Sequence, residues 1–196
     1  MKSLNNYIIK PLGERYNNSV DVDGKSLIVN TEVFNHQYVN RKAKILALPI
    51  NEDSDIKVGD VVIVHHNVFR RWHDIKGKER NSKSYYREDM YFVSKDQIFA
   101  YKSIDDWKPM QGFCFVKPIK SNYKFDTSIE HNTKGIIKYT DGSFNKGDVI
   151  GFEPFSKYEF VIDNEKLYRV YSKFITIKYE YQGDEEEYNP SWAKSS

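Results

Sequence analysis

Short runs in which hydrophobic and polar residues alternate follow one another along most of the chain. Alternation with a period of two is typical of strands that bury one face, and no long window shows the 3.6-residue period of a helix. Glycine and aspartate close several runs, as in KVGD and NKGD, where they favour tight turns. The pattern predicts an all-β protein with strands near residues 7–9, 43–48, 60–64, 91–93, 97–101, 113–116, 135–139, 148–152, 158–162, 166–171 and 174–181.

Three segments of the first half of the chain recur in the same order in the second half. Each begins or ends in an apolar strand, and each pair shares its turn-forming or lysine-containing positions. The pairs are YIIKPL (7–12) with CFVKPI (114–119), DIKVGDVVIV (55–64) with SFNKGDVIGF (143–152), and MYFVSKDQIFAYK (90–102) with LYRVYSKFITIKY (167–179).

The spacing between the copies decreases along the chain. Pro118 follows Pro11 by 107 positions, Gly147 follows Gly59 by 88, and Val170 follows Val93 by 77. The second copy is therefore shorter in two places, both of which are expected to be loops.

This organisation predicts two tandem small β-barrels, of which only the first carries a long loop. We expect the first barrel at residues 1–103 and the second at 104–182, with a linker at 103–111. Residues 183–196, which begin GDEEE, are predicted to be an exposed acidic tail.

The composition indicates in which compartment the protein is expected and which partners it is expected to lack. The formal net charge of +2 is too small to indicate nucleic-acid binding by the whole surface, so such binding would need a local patch. The single cysteine, Cys114, excludes an intrachain disulfide and favours a reducing compartment; its apolar surroundings, GFCFV, predict a buried thiol. No stretch reaches the roughly 18 apolar residues of a membrane helix, and no secretory leader is apparent. We therefore expect a soluble, cytoplasmic protein that does not bind membranes.

Five segments of the first copy occur in an order known from one protein family. They are IIKPLGERY (8–16), DGKSLIVNT (23–31), KAKILALP (42–49), DIKVGDVVIV (55–64) and FVSKDQIFAY (92–101). In this order they resemble the GroES-type co-chaperonins of bacteria and their viruses, and a lysine- and asparagine-rich composition is compatible with a bacteriophage. The resemblance covers residues 7–102 well and the second copy only through the internal repeat.

The resemblance implies a GroES-like barrel that acts without enzymatic activity and without a cofactor. It implies a homo-oligomeric, seven-fold ring that closes a group I chaperonin of the GroEL type over client proteins. The mobile loop would be residues 16–42, and its chaperonin-binding residues would be Gly24, Leu27, Ile28 and Val29. The alternative is that Leu27, Ile28 and Val29 belong to a buried strand.

The chain departs from the family pattern in three respects. It is doubled, and its second copy has the short polar segment KSNYKFDTSIEHNTKG where an aliphatic tripeptide would be needed. The insertion at residues 65–90, at the place of the family's roof hairpin, is also longer and more basic than usual. These departures leave the number of subunits and the shape of the chamber open.

The roof-type insertion supports a competing interpretation, because basic and aromatic side chains alternate in it. Aromatic platforms among cations are what a single-stranded nucleic-acid binder uses, although this is the less favoured alternative. The candidate residues are Arg70, Arg71, Trp72, Lys76, Lys78, Arg80, Tyr85 and Tyr86.

Two further possibilities have less support. His65 and His66 are neighbours on a predicted strand, so their side chains point to opposite faces and no metal site is predicted. No arrangement of nucleophile and base and no phosphate-binding glycine loop is present, which argues against an enzyme. A structural or assembly role in a virus particle, built on small β-barrels, stays open as a third hypothesis.

Overall fold

The computed structural model describes residues 3–16, 19–28, 39–104, 106–121, 130–180, 183 and 185–195, without the side chains of residues 19–22, 26, 28 and 195. It confirms the all-β class. In this part of the chain the helical segments are single 3₁₀ turns at His66–Val68, Lys95–Gln97, Ser172–Phe174 and Ser191–Ser195, and none is a helix long and apolar enough to cross a membrane. The strands are β1 (Tyr7–Pro11), β2 (Ser19–Val22), β3 (Lys25–Ile28), β4 (Lys42–Ala47), β5 (Val61–Val64), β6 (Arg71–His73), β7 (Glu79–Asn81), β8 (Tyr85–Arg87), β9 (Met90–Val93), β10 (Ile98–Lys102), β11 (Lys108–Pro109), β12 (Phe113–Lys120), β13 (Glu130–Tyr139), β14 (Val149–Phe152), β15 (Lys157–Ile162), β16 (Glu165–Tyr171) and β17 (Ile175–Tyr179).

The chain forms two compact units, Met1–Trp107 and Lys108–Ser196. Their boundary lies within the predicted linker at residues 103–111. The main sheet of the first unit has the order β8-β9-β1-β4-β5-β10, and that of the second has the order β15-β16-β12-β13-β14-β17. As far as the described strands show, both sheets stay open rather than closing into barrels.

The two sheets have one strand order. The strands of the first sheet are counted from β8 and those of the second from β15. The corresponding strands are then β8 and β15, β9 and β16, β1 and β12, β4 and β13, β5 and β14, and β10 and β17. Neighbours in both series run antiparallel. The order of segments that repeats in the sequence is therefore also an order of strands in space.

The copies share irregularities as well. The register of β1 on β4 shifts between Ile8 and Ile9, and the register of β12 on β13 shifts between Phe115 and Val116. These two pairs of residues are 107 positions apart, which is the spacing of the first repeated segment. A β-bulge bends and twists a strand at a defined point, so both sheets bend at the same place.

The KVGD and NKGD turns are also built alike. Gly59 and Gly147 have φ angles of 98° and 90°, a left-handed conformation that glycine adopts without a steric penalty. The carboxylates of Asp60 and Asp148 each accept a hydrogen bond from the backbone N–H three positions earlier, at 2.8 Å and 3.0 Å. Each turn therefore fixes the start of the strand that follows it.

Each unit buries aliphatic and aromatic side chains against its sheet. In the first unit the fully buried side chains include Tyr7, Ile9 and Ile45. Cys114 is buried, as its apolar surroundings predicted, and burial raises the pKa of its thiol. It lies in a cluster of the second unit with Val116, Ile137, Ile150, Phe152, Tyr168 and Val170.

Part of the C-terminal segment, predicted to be an exposed acidic tail, pairs with the sheet of the second unit, although Glu186 and Glu187 are exposed. Tyr188 donates a backbone hydrogen bond to the carbonyl oxygen of Pro118 at 2.9 Å, and the Lys120 N–H donates to the Glu186 carbonyl at 2.8 Å. Residues 186–188 thereby pair antiparallel with the C-terminal end of β12 at Ile119. Ala193, further along the chain, is buried.

The acidic residues of this segment are neutralised by lysines of β12 and β13, which explains why an acidic run packs onto the sheet. Glu187 pairs with Lys117 at 2.8 Å, and Glu185 pairs with Lys134 at 3.4 Å. Glu186 forms an ion pair with Lys120. The backbone hydrogen bonds and the ion pairs together fix the register of this segment on β12.

Candidate functional site

The predicted mobile loop leaves and rejoins the first unit at one point. Tyr16 and Val39 form an antiparallel bridge, and both side chains are buried. Two hydrogen bonds from Asn40 support this bridge, which we call the neck of the loop. The Asn40 side chain donates to the Glu14 carbonyl oxygen at 2.9 Å, and the Asn40 backbone N–H donates to the Arg15 carbonyl oxygen at 2.9 Å. The two ends of the predicted loop are therefore held together at Tyr16 and Val39.

Part of this segment is a regular hairpin rather than an irregular loop. Strands β2 and β3 pair with each other in a sheet of their own. Asp23 and Gly24 connect them with φ angles of 52° and 75°, and two successive positive φ values are the mark of a type I′ turn. The predicted Gly24 thus has a defined conformational role.

The aliphatic residues at the end of the hairpin were predicted to bind a chaperonin. Leu27 lies in β3, yet 53% of its surface is exposed. Ile28 is the last residue of β3, while its side chain and all of Val29 lie outside the described residues. Leu27 is therefore in a strand but is not buried in a core, and the role of all three residues stays a prediction.

A second hairpin, β6–β7, projects from the first unit at the place of the roof-type insertion. It forms another two-stranded sheet. Its turn is organised by Asp74, whose carboxylate accepts hydrogen bonds from the backbone N–H groups of Lys76 and Lys78 at 2.9 Å and 3.0 Å. The bond from Lys78, the one from Lys76 and the nearby Arg80 lower the pKa of the Asp74 carboxyl. Ile75 at the tip of this turn is fully exposed.

Arg15 and Tyr16 connect the base of this second hairpin to the neck of the first. The Arg15 guanidinium donates to the Phe69 carbonyl oxygen at 2.8 Å and 3.2 Å, and to the Asn81 side-chain oxygen at 2.8 Å. The Tyr16 hydroxyl accepts a hydrogen bond from the Arg71 N–H at 2.6 Å. In the sequence, Arg15 is part of the segment that resembles the family signature. Its structural partners could not be predicted, because they are more than fifty positions away.

Replacing Arg15 by lysine should loosen this connection. An ammonium group cannot make the forked contacts of a guanidinium, so the Phe69 carbonyl loses its donor, and hydrogen bonds from charged groups contribute about 1.5–3 kcal/mol. We expect R15K to lower the free energy of unfolding, measured in urea, by about that amount.

Arg80→Lys is the matched control for Arg15→Lys. Arg80 pairs with Asp74 at 3.0 Å on the surface, where an ion pair is worth about 0–1 kcal/mol. If R15K is no more destabilising than R80K, Arg15 does not anchor the β6–β7 hairpin.

Internal contacts use much of the predicted nucleic-acid patch. Arg71 pairs with Glu79 at 3.2 Å, just as Arg80 pairs with Asp74. Arg70 is half-buried. These contacts reduce the positive charge that the insertion offers to a polyanion.

The aromatic side chains of the patch are partly engaged too. The Tyr85 ring packs edge-on against Tyr91 with centroids 5.6 Å apart, and the Tyr86 ring lies 4.7 Å from that of Phe92. Trp72 is 45% exposed, and its indole N–H donates to a backbone carbonyl of β7. In the same segment of the chain, Lys76, Lys78 and Lys83 are exposed and form no ion pair with the described residues.

No protein-family model and no curated protein matches the chain. In the described ranges, no three histidine, cysteine, aspartate or glutamate side chains gather in a way that would hold a metal ion. The candidate site therefore consists of the two hairpins of the first unit, β2–β3 and β6–β7. Arg15 and Tyr16 connect the base of β6–β7 to the neck of the predicted loop.

Proposed function

We propose that this protein is a co-chaperonin-like lid, which binds a group I chaperonin through the β2–β3 hairpin and encloses client proteins. The observation that carries the proposal is the β2–β3 hairpin with exposed Leu27, which lies in the chain between the bridged residues Tyr16 and Val39. A large apolar side chain kept in solvent on a projecting hairpin is suited to a groove on a partner. We place the protein in the bacterial cytoplasm, where such a chaperonin would be met.

Each hairpin would contribute a modest amount of binding energy. Burying one aliphatic side chain contributes roughly 1.5–3 kcal/mol, from which the cost of ordering the loop must be subtracted. A homo-oligomeric ring presents several hairpins at once, and the high effective concentration of the later contacts strengthens the whole. Weak single contacts also allow the lid to be released.

The second unit would serve as a further part of the wall or dome. It keeps the strand order, the β12 bulge and the NKGD turn of the first unit. It lacks a β6–β7 counterpart, because β14 is joined to β15 by residues 153–156 alone. The sequence between β12 and β13 has no aliphatic tripeptide, so the chaperonin contact is assigned to the first unit.

Negative-stain imaging of the purified protein tests the ring. The proposal predicts round particles with a central hole and a uniform subunit number. Single small particles at every concentration would contradict a lid, and tubes or flat lattices would favour a component of a virus particle.

Nucleic-acid binding is the second candidate, supported by exposed Trp72 and three exposed lysines in the same segment of the chain. Its test is the binding of a fluorescent single-stranded oligonucleotide as salt is raised. A true site would bind at low salt, weaken steeply with salt and lose affinity in W72A, whereas a lid without this activity would not bind even at low salt.

A further inference from the structure

Residues 185–188 pair with the second unit as a short extended peptide pairs with the edge of a sheet. The segment runs antiparallel to the end of β12 and bridges it at Ile119. The Tyr188 N–H donates to the Pro118 carbonyl oxygen at 2.9 Å. Main-chain pairing with a sheet edge is a general way in which proteins bind extended segments of their partners. This edge of β12 therefore has backbone groups that can hold such a segment.

Three lysines give this edge its chemical preference. Lys117, Lys120 and Lys134 lie in β12 and β13, and each forms an ion pair with one of the three successive glutamates at residues 185–187. By the spacing of 107 between the copies, the first unit has Gly13 where the second has Lys120. The set of three cations thus belongs to the second unit, and it is complementary to an extended segment rich in carboxylates.

Most of the ion pairs that hold the segment on β12 are in contact with water. The side chains of Glu186 and Glu187 are 65% and 52% exposed, while that of Glu185 is buried. Exposed ion pairs contribute little to stability, and salt weakens them further. The contact of residues 186–188 with β12 therefore depends largely on two backbone hydrogen bonds, which a competing strand would replace.

Detachment of the segment would not leave the nearby buried lysine without a charge partner. The Lys166 ammonium lies 5.9 Å from the centroid of the Tyr188 ring and 5.8 Å from a ring centroid of Trp192. It also pairs with Glu130 at 3.1 Å and with Glu159 at 3.2 Å. A buried cation that loses its carboxylates is costly, but these two carboxylates belong to β13 and β15 and stay in place when the segment leaves.

The first unit shows the same edge without a covering segment. Leu12 is the equivalent of Ile119, and its N–H donates to the Lys42 carbonyl oxygen of β4 at 3.0 Å. Among the described residues no second segment pairs with Leu12, which is 40% exposed, whereas Ile119 is 2% exposed. Both units have the same strand order, so this order does not require a strand at that edge.

We propose that the end of β12 is a binding site for an extended acidic segment of a partner protein, and that residues 185–188 occupy it as an internal competitor. The partner segment would pair antiparallel with Pro118–Lys120 and bring carboxylates to the same three lysines. It competes with a tethered segment, whose effective concentration is on the order of millimolar. The inference is independent of the proposed chaperonin contact, which is assigned to the first unit.

The binding of a fluorescent peptide, GDEEEYNPSW, to full-length protein tests the competition by fluorescence anisotropy. Its sequence is that of residues 183–192. The variant E185Q/E186Q/E187Q, in which the internal segment has lost its charges, should bind this peptide about tenfold more tightly than the unaltered chain. The control peptide GDQQQYNPSW should bind both proteins much more weakly. Equal affinity of the variant and the unaltered chain for GDEEEYNPSW would overturn the role of internal competitor.

The variant K117Q/K120Q/K134Q tests whether the peptide binds at the end of β12. It should bind GDEEEYNPSW less tightly than the unaltered chain does, and added salt should change its binding less. Undiminished binding by this variant would show that the lysines of β12 and β13 are not the site. Circular dichroism of each variant shows whether it is folded.

Amide exchange of the unaltered chain, followed by NMR, tests displacement without any substitution. Unlabelled GDEEEYNPSW at several times the effective concentration of the tethered segment, on the order of ten millimolar, should speed the exchange of the Tyr188 N–H of the protein. The reason is that this N–H loses its bond to Pro118 when the peptide replaces the segment. GDQQQYNPSW should leave the exchange rate unchanged. If GDEEEYNPSW also leaves it unchanged, the segment is a fixed strand of the second unit and the proposal is wrong.

Discussion

Replacing Leu27, Ile28 and Val29 together by serine should abolish binding to a group I chaperonin. The variant removes the apolar groups that the proposed hairpin presents, each worth roughly 1.5–3 kcal/mol when buried. The binding free energy lost from a single hairpin corresponds to a decrease of more than about a hundredfold in affinity. In a ring this decrease is larger, because several hairpins bind at once. Co-sedimentation of the variant with the chaperonin measures the loss.

Lys25→Ser is the matched control for the triple variant. Lys25 lies in the same strand as Leu27 and is exposed, so K25S changes the hairpin without removing apolar surface. It should bind like the unaltered chain. Because Leu27 is exposed, L27S alone should keep the parent's stability in urea. Undiminished binding by a folded triple variant would show that this hairpin is not the contact.

Replacing Gly135 by alanine should be the most destabilising single methyl addition in the second unit. A Cβ at this position would lie 2.4 Å from Val116 Cγ1 and 2.7 Å from the Lys117 carbonyl oxygen. The Lys117 carbonyl oxygen is a backbone atom of β12, which pairs with β13, the strand that contains Gly135. The clash therefore cannot be relieved by rotating a side chain. We expect a loss of about 3 kcal/mol or more in the free energy of unfolding, at the upper end of overpacking effects.

Gly151→Ala is the matched control for Gly135→Ala. Its Cβ would lie 3.1–3.2 Å from side-chain atoms of Tyr179 and Ile177, which are partly exposed on the edge strand β17. We expect a cost of about 1 kcal/mol. If G135A unfolds at the same urea concentration as G151A, the close approach of β12 to Gly135 is wrong.

The sequence predicted most strands of the two main sheets because their information is local, but it did not predict β8 or the hairpins β2–β3 and β6–β7. Alternation of apolar and polar residues placed a strand at residues 43–48, and β4 runs from Lys42 to Ala47. The KVGD and NKGD turns contain the glycine and the aspartate that form them. The order of repeated segments then sufficed to predict two similar β-units, since equivalent strands pair in one order.

The features that the sequence did not predict depend on distant partners. Glu186 follows Lys120 by 66 positions, and their contact makes an acidic run part of a sheet. Read alone, three successive glutamates indicate a solvated tail, because nothing local shows the lysines that neutralise them. The anchor from Arg15 to Phe69 and Asn81 was hidden for the same reason.

Contacts within the first unit engage part of the basic and aromatic pattern that suggested a binding patch. Tyr85 and Tyr86 lie in β8, opposite a strand whose Tyr91 and Phe92 offer rings to pack against. Pairing of aromatic side chains across strands is a common way to stabilise a sheet edge. Of the aromatic residues proposed for the patch, Trp72 is the one that keeps an exposed ring without such a partner among the described residues.

The most direct test of the lid is co-sedimentation of the unaltered, full-length chain with a group I chaperonin, with and without ATP. The account predicts that the protein sediments with the chaperonin when ATP is present and is released when the nucleotide is removed. A protein that stays in the supernatant in both conditions, at concentrations at which it forms its own assembly, would contradict the proposed function.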